Sequence, residues 1–106
     1  MMAKEKKFAN LIGYTDVYPY EVVARTRKTI QVRAMNSELD PNWKPEIVAG
    51  GFAGHCTNGH TQRWNITSNP KNPVYRAYLR KNGYYYSAMG KHGLDDYPDR
   101  FHDYNF

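Results

Sequence analysis

A chain of 106 residues fits one domain spanning 1–106, with a core that is attainable but not generous. Hydrophobic residues make up 41% and charged residues 24%, which is globular rather than disordered usage, and ten tyrosines raise the aromatic share to 15%. Fifteen Lys and Arg against ten Asp and Glu leave a net charge of +5, which favours anionic partners such as phosphates, nucleotides or nucleic acid and equally describes a plain basic surface.

The single cysteine, Cys56, excludes an internal disulfide framework and points to a reducing, cytoplasmic setting. No apolar run approaches the ~20 residues of a membrane span. The opening "MMAKEKKFANLIGY" lacks the hydrophobic stretch of a signal peptide, and residues 1–9 read as a flexible start.

From there "NLIGYTDVYPYEVVARTRKTIQVRAM" alternates and is rich in Val, Ile, Thr and Tyr. It predicts strands over 10–15, 18–25 and 29–35, with Ile30 and Val32 inward and Gln31 and Arg33 outward. Between Asn36 and Gly59 the pattern breaks around Trp43 and a glycine-rich run, which reads as loop with short helical turns. A connection so long in a small domain is functional or folded against the rest. "HTQRWNITS" gives another strand, with Gln62, Trp64 and Ile66 on one side and Arg63, Asn65 and Thr67 on the other.

The stretch "YRAYLRKNGYYYSAMG" follows, and its Asn82-Gly83 pair signals a hairpin. With a two-residue turn, Arg80 faces Tyr85 and Leu79 faces Tyr86. One face is then core (Tyr75, Ala77, Leu79, Tyr86, Ala88) and the other is Arg76, Tyr78, Arg80, Tyr85 and Ser87. A slip of one residue would exchange the faces, so the register carries the inference. The aromatic ending, with Phe101, Tyr104 and Phe106, predicts an ordered final strand rather than a tail. The fold class expected is α+β, mostly β: a small antiparallel meander and hairpin sheet with short helical turns in the central loop.

Planar rings beside guanidinium groups suit a ligand carrying bases and phosphates, because rings stack on bases and arginines pair with phosphate oxygens. Tyr and Arg are also ordinary residues of an exposed sheet face. His55, Cys56 and His60 invite a metal reading, but a second ligand pair at zinc spacing is missing, leaving only His92 and His102, and no metal or other cofactor is expected. The glycine run "AGGFAGHCTNGH" lacks the Lys-Ser/Thr ending of a phosphate loop and reads as a tight loop packed on Phe52. Asp95, Asp96, Asp99 and Asp103 around Arg100 and His102 suit turn capping better than acid-base catalysis, so no catalytic residues are assigned.

The order of "GYTDVYPYEVVARTRKTIQVR", "GGFAGHCTN", "LRKNGYYY" and the ending "RFHDYNF" resembles the first family of phage Thoeris anti-defence proteins, over most of the chain from about Gly13 to Phe106. That resemblance implies a non-enzymatic, homo-oligomeric sponge, acting in the cytoplasm of an infected bacterial host, that holds cyclic ADP-ribose isomers and, in some members, cyclic oligonucleotides. By position it implies ligand-binding roles for Arg100 and Asn82. Family members often carry Arg directly after the Tyr-(Ser/Thr)-Asp of the first segment, where this chain has Val17. Tyr14, Asp16, Arg33, Tyr78, Arg80 and Tyr85 join the candidates on their surface chemistry alone. A nucleic-acid-binding module using the same Arg/Tyr face and a protein inhibitor of a host defence enzyme stand as alternatives, and no membrane partner is expected.

Overall fold

The computed structural model describes residues 5–50 and 53–105. Residues 1–4 of the expected flexible start, Phe52 at the centre of the expected tight loop, and Phe106 lie outside the described residues.

The fold is mostly β, with eleven strands and one 3-10 turn among the described residues. In chain order they are β1 (Phe8–Ile12), β2 (Val17–Tyr18), β3 (Tyr20–Arg25), β4 (Thr29–Ala34), β5 (Asn36–Leu39), β6 (Ile47–Gly50), β7 (Ala53–Cys56), the turn at Gly59–Thr61, β8 (Trp64–Thr67), β9 (Val74–Leu79), β10 (Tyr85–Ser87) and β11 (Gly90–Asp95). No helix is long and apolar enough to cross a membrane among the described residues.

Seven strands form one antiparallel sheet in the order β11-β10-β9-β4-β3-β1-β2, and β11 also pairs with β1. The sheet therefore closes into a barrel, which removes its edges. Pro19, which has no N–H to give a ladder, splits the expected strand 18–25 into β2 and β3. These two then share the second edge of β1, at Ile12 and Leu11 on one side and Phe8 on the other.

Alternation fills the barrel as expected: Ile30 and Val32 are fully buried and pack with Ala9, Tyr20, Ala77 and Tyr85, while Gln31 and Arg33 face outward. Burying Ile30 and Val32 contributes about 1.5–3 kcal/mol each before entropy is subtracted. His92 is buried among these side chains, its ring meeting that of Tyr20 edge-on with centroids 5.0 Å apart.

The central segment departs from the loop expected of it. β5 pairs with β8 and β6 pairs with β7, giving two small two-stranded sheets beside the barrel. Among the described residues there, only the Gly59–Thr61 turn is helical. Gly54 is required in this hairpin, since a Cβ at that position would lie 2.4 Å from a methyl of Ile47. The radius of gyration, 16.0 Å, exceeds the roughly 13 Å of a compact chain of this length, because these sheets project from the barrel.

Two further expectations are corrected. The chain's end forms no strand among the described residues; Phe101 makes one isolated bridge to Val17, and Tyr104 packs against Trp43 with centroids 5.5 Å apart. Phe101 is held by the two backbone bonds of that bridge and Tyr104 by side-chain packing, neither by a strand. The β9–β10 hairpin is also one residue out of the expected register: Leu79 faces Tyr85 and Tyr78 faces Tyr86. Its loop is Lys81-Asn82-Gly83, closed by Gly83 N–H to the Arg80 carbonyl at 2.9 Å and Arg80 N–H to the Tyr84 carbonyl at 3.0 Å. Gly83 alone takes a positive φ in this loop, +87°, as a three-residue turn with a bulge requires.

Candidate functional site

That slip decides which tyrosine meets solvent. Tyr85, expected on the Arg/Tyr face, is in the core at 9% exposure, while Tyr86, expected in the core, lies with Arg76, Tyr78 and Arg80 on the outer face. On this face the Arg80 guanidinium carbon stands 4.5 Å above the Tyr86 ring, and the Lys91 ammonium stands 4.7 Å above the Tyr84 ring. Such contacts contribute about 0.5–1 kcal/mol each where exposed, and they hold the cations in place over the strands. Asn82 donates from its side-chain amide to the Tyr86 hydroxyl at 2.8 Å and accepts the Tyr84 N–H at 3.1 Å. It braces the loop and the ring together.

Tyr78 is half exposed beside Tyr86. Residues 74–91 carry four cations, Arg76, Arg80, Lys81 and Lys91, and no acid. An anion approaching this hairpin therefore meets rings and positive charge with no carboxylate on the same strands to oppose it.

The remaining candidates lie elsewhere. Arg33 donates to Glu21 Oε1 from Nε at 3.1 Å and from Nη2 at 2.6 Å, and Ser68 donates to Glu21 Oε2 at 2.7 Å. Burial pushes the Glu21 carboxyl up, but the bonds from Arg33 and Ser68 outweigh it and hold the group below its ordinary range. Arg33 is thus half of a surface ion pair. Tyr14 is 94% exposed in the connection between β1 and β2.

Asp16 and Arg100 do come together, at the chain's end. Arg100 Nη1 lies 3.7 Å from Asp16 Oδ2 and donates to the carbonyls of Val17, at 3.3 Å, and Phe101. Its guanidinium carbon sits 4.5 Å from the Tyr18 ring centre and 4.9 Å from that of Trp64, so the cation is flanked by two aromatic rings. Asp16 also accepts the Asp103 N–H at 2.9 Å and contacts His102 Nδ1 at 3.1 Å and the Thr15 hydroxyl at 3.2 Å. Burial raises the Asp16 carboxyl, and the bonds from Asp103, His102 and Thr15 together hold it below its ordinary value. Nearby, Asn105 closes a two-bond clasp on the Cys56 backbone, accepting its N–H at 2.7 Å and donating to its carbonyl at 2.9 Å. Gln62 ties His102 in by accepting its N–H and donating to its carbonyl, both at 2.9 Å. This network fastens the chain's end to the barrel and to the projecting sheets.

Among the described residues no group of three or more His, Cys, Asp or Glu is placed to hold a metal ion. His92 is inside the barrel, His102 is in the terminal network, and His55 and His60 lie on the projecting segment. Comparison with protein-family models, curated proteins and solved structures returns no match to this chain.

Proposed function

We propose that the protein is a binding protein that captures cyclic nucleotide signals, cyclic ADP-ribose isomers or cyclic oligonucleotides, on the outer face of the β9–β10 hairpin and releases them unchanged. The observation that carries this reading is the co-location of Tyr78, Tyr84 and Tyr86 with Arg76, Arg80 and Lys91 within residues 74–91, a stretch without an acidic residue. Rings of this kind stack on bases at about 1–3 kcal/mol per base. Guanidinium–phosphate bonds contribute about 1.5–3 kcal/mol each when shielded from water. The face is open, so shielding comes from a second copy closing over it, and the functional form is a homo-oligomer. It acts in the cytoplasm of an infected bacterial cell, where sequestration requires only tighter binding than the immune effector achieves and an excess over the signal.

The test is calorimetry and thermal shift of the purified protein against cyclic ADP-ribose isomers and cyclic di- and trinucleotides, followed by heat release and chromatography of the ligand. The expected result is saturable binding at fixed stoichiometry, intact recovery, and at least tenfold weakening in Arg80→Ala and Tyr86→Ala. Turnover of the ligand, or no binding by folded protein, overturns the reading. The same openness favours one second reading, a sequence-tolerant platform for single-stranded nucleic acid. Its signature is affinity that grows with strand length and falls log-linearly with salt.

A further inference from the structure

Next to the hairpin face, β3 changes register against β4: Val22 faces Val32, but Ala24 faces Gln31, with Val23 left over as a bulge. A bulge bends its strand away from the ladder, and the residue brought over Gln31 is as small as alanine. The outer surface dips there into a recess of about 220 Å³ lined by Ala24, Arg25, Thr26, Thr29, Gln31 and Arg76. A recess of this size has room for a planar base.

The register places the recess within the proposed binding face. Gln31 stands opposite Arg76, and Thr29 stands opposite Tyr78, so Ala24, Gln31 and Arg76 form one row and Thr29, Tyr78 and Tyr86 the next. Arg25 is a wall rather than a free cation, since it donates to the Lys6 carbonyl and pairs with Glu5 at 3.4 Å. The Gln31 carboxamide and the Arg76 guanidinium are not engaged by another described residue. One is a neutral group with a donor and an acceptor side by side, and the other is a cation at the rim.

Resting on the binding reading above, we infer that this recess is the base subsite, that Gln31 selects an adenine edge within it, and that Arg76 holds the attached phosphate. A carboxamide matches the adjacent N7 acceptor and N6 amino donor of adenine with two hydrogen bonds. Guanine and hypoxanthine present two acceptors along the same edge, so the Gln31 carbonyl would face an oxygen. Arg76, Tyr78 and Arg80 alternate on one face of β9 and its extension. A base seated over Gln31 therefore directs its phosphate along the line of cations toward the hairpin loop.

The experiment is calorimetry with adenosine, inosine and guanosine 5′-monophosphates and with inorganic phosphate, on the native protein and on Gln31→Leu, Arg76→Ala and Arg80→Ala. All three replaced side chains are outside the core, and the melting temperature of each variant checks its fold. The native protein is expected to prefer the adenosine nucleotide over the inosine nucleotide by about tenfold, the loss of one bidentate pair. Gln31→Leu removes that preference, whereas Arg76→Ala weakens both nucleotides alike and leaves the preference standing. Equal affinity for the two nucleotides in the native protein, or a preference that survives Gln31→Leu, overturns the inference. If cyclic nucleotides still bind to Gln31→Leu and Arg76→Ala but not to Arg80→Ala, the subsite fails while the hairpin reading stands. If the folded native protein binds no nucleotide at all, both fail.

Discussion

The buried histidine makes a prediction that tests the barrel from within. His92 is fully buried, with Nδ1 at 2.9 Å from the Ala9 carbonyl and Nε2 at 2.7 Å from the Ser87 hydroxyl. A carbonyl can only accept, so Nδ1 carries the proton, Nε2 accepts from Ser87, and Ser87 in turn accepts the Met89 N–H at 3.1 Å. Burial, the larger effect, pushes the ring's pKa below its ordinary 6.5, and the bond to Ala9 pulls partly the other way. The unfolded chain therefore takes up a proton near pH 6.5 that the folded chain refuses until the pH is lower. The contribution of the neutral ring is complete above about pH 6.5 and is lost as the pH falls below it. The slope approaches about 1.4 kcal/mol per pH unit for one group. Urea unfolding, followed by the fluorescence of Trp43 and Trp64 at about pH 7.5 and about pH 5.5, reads this directly. His92→Gln keeps a donor for Ala9 and does not titrate. It is expected to be the less stable protein at the higher pH, with the gap narrowing at the lower. Parallel losses in the two proteins would refute the burial argument.

The hairpin register separates neighbouring tyrosines: Tyr85→Ala is expected to cost about 3–5 kcal/mol in urea unfolding, as for a buried aromatic, and Tyr86→Ala about 1 kcal/mol or less; equal costs would contradict the slip. Arg100→Lys keeps the charge near Asp16 but loses the planar group between Tyr18 and Trp64, and a loss of about 1–2 kcal/mol is expected by the same measurement. Asn105→Ala opens the clasp on Cys56 and leaves the buried strand end without two bonds. About 1–3 kcal/mol of stability, and faster thiol modification of Cys56, are the expected results. Acid titration below pH 4 is expected to release the chain's end first, since Asp16 supports it only while ionised; its folded pKa is depressed, so that support is present above about pH 3.8 and is lost as the pH falls through the folded value.

Alternation of small and β-branched residues determined the strands and, for β4, their faces: Ile30 and Val32 lie inward and Gln31 and Arg33 outward because a strand's side chains alternate whatever it pairs with. Composition likewise made a surface of Tyr, Arg and Lys legible without coordinates. Pairing was not legible. Asn-Gly fits a two-residue turn as well as a three-residue one, and the barrel chose the longer loop, which puts the large Tyr85 ring into the core beside Ala77 and His92 and turns Tyr86 outward. The bulge at Val23 depends on how β3 meets β4, and no local residue pattern announced it or the recess over Gln31. Lys91 and Tyr84 joined the face only when β11 closed on β10. Arg100 met Asp16 only because the chain's end returned to β2 across more than eighty residues. Local periodicity is a property of each segment and is written in it; register and closure are settled by the sum of contacts between segments, and only the folded barrel adds them up.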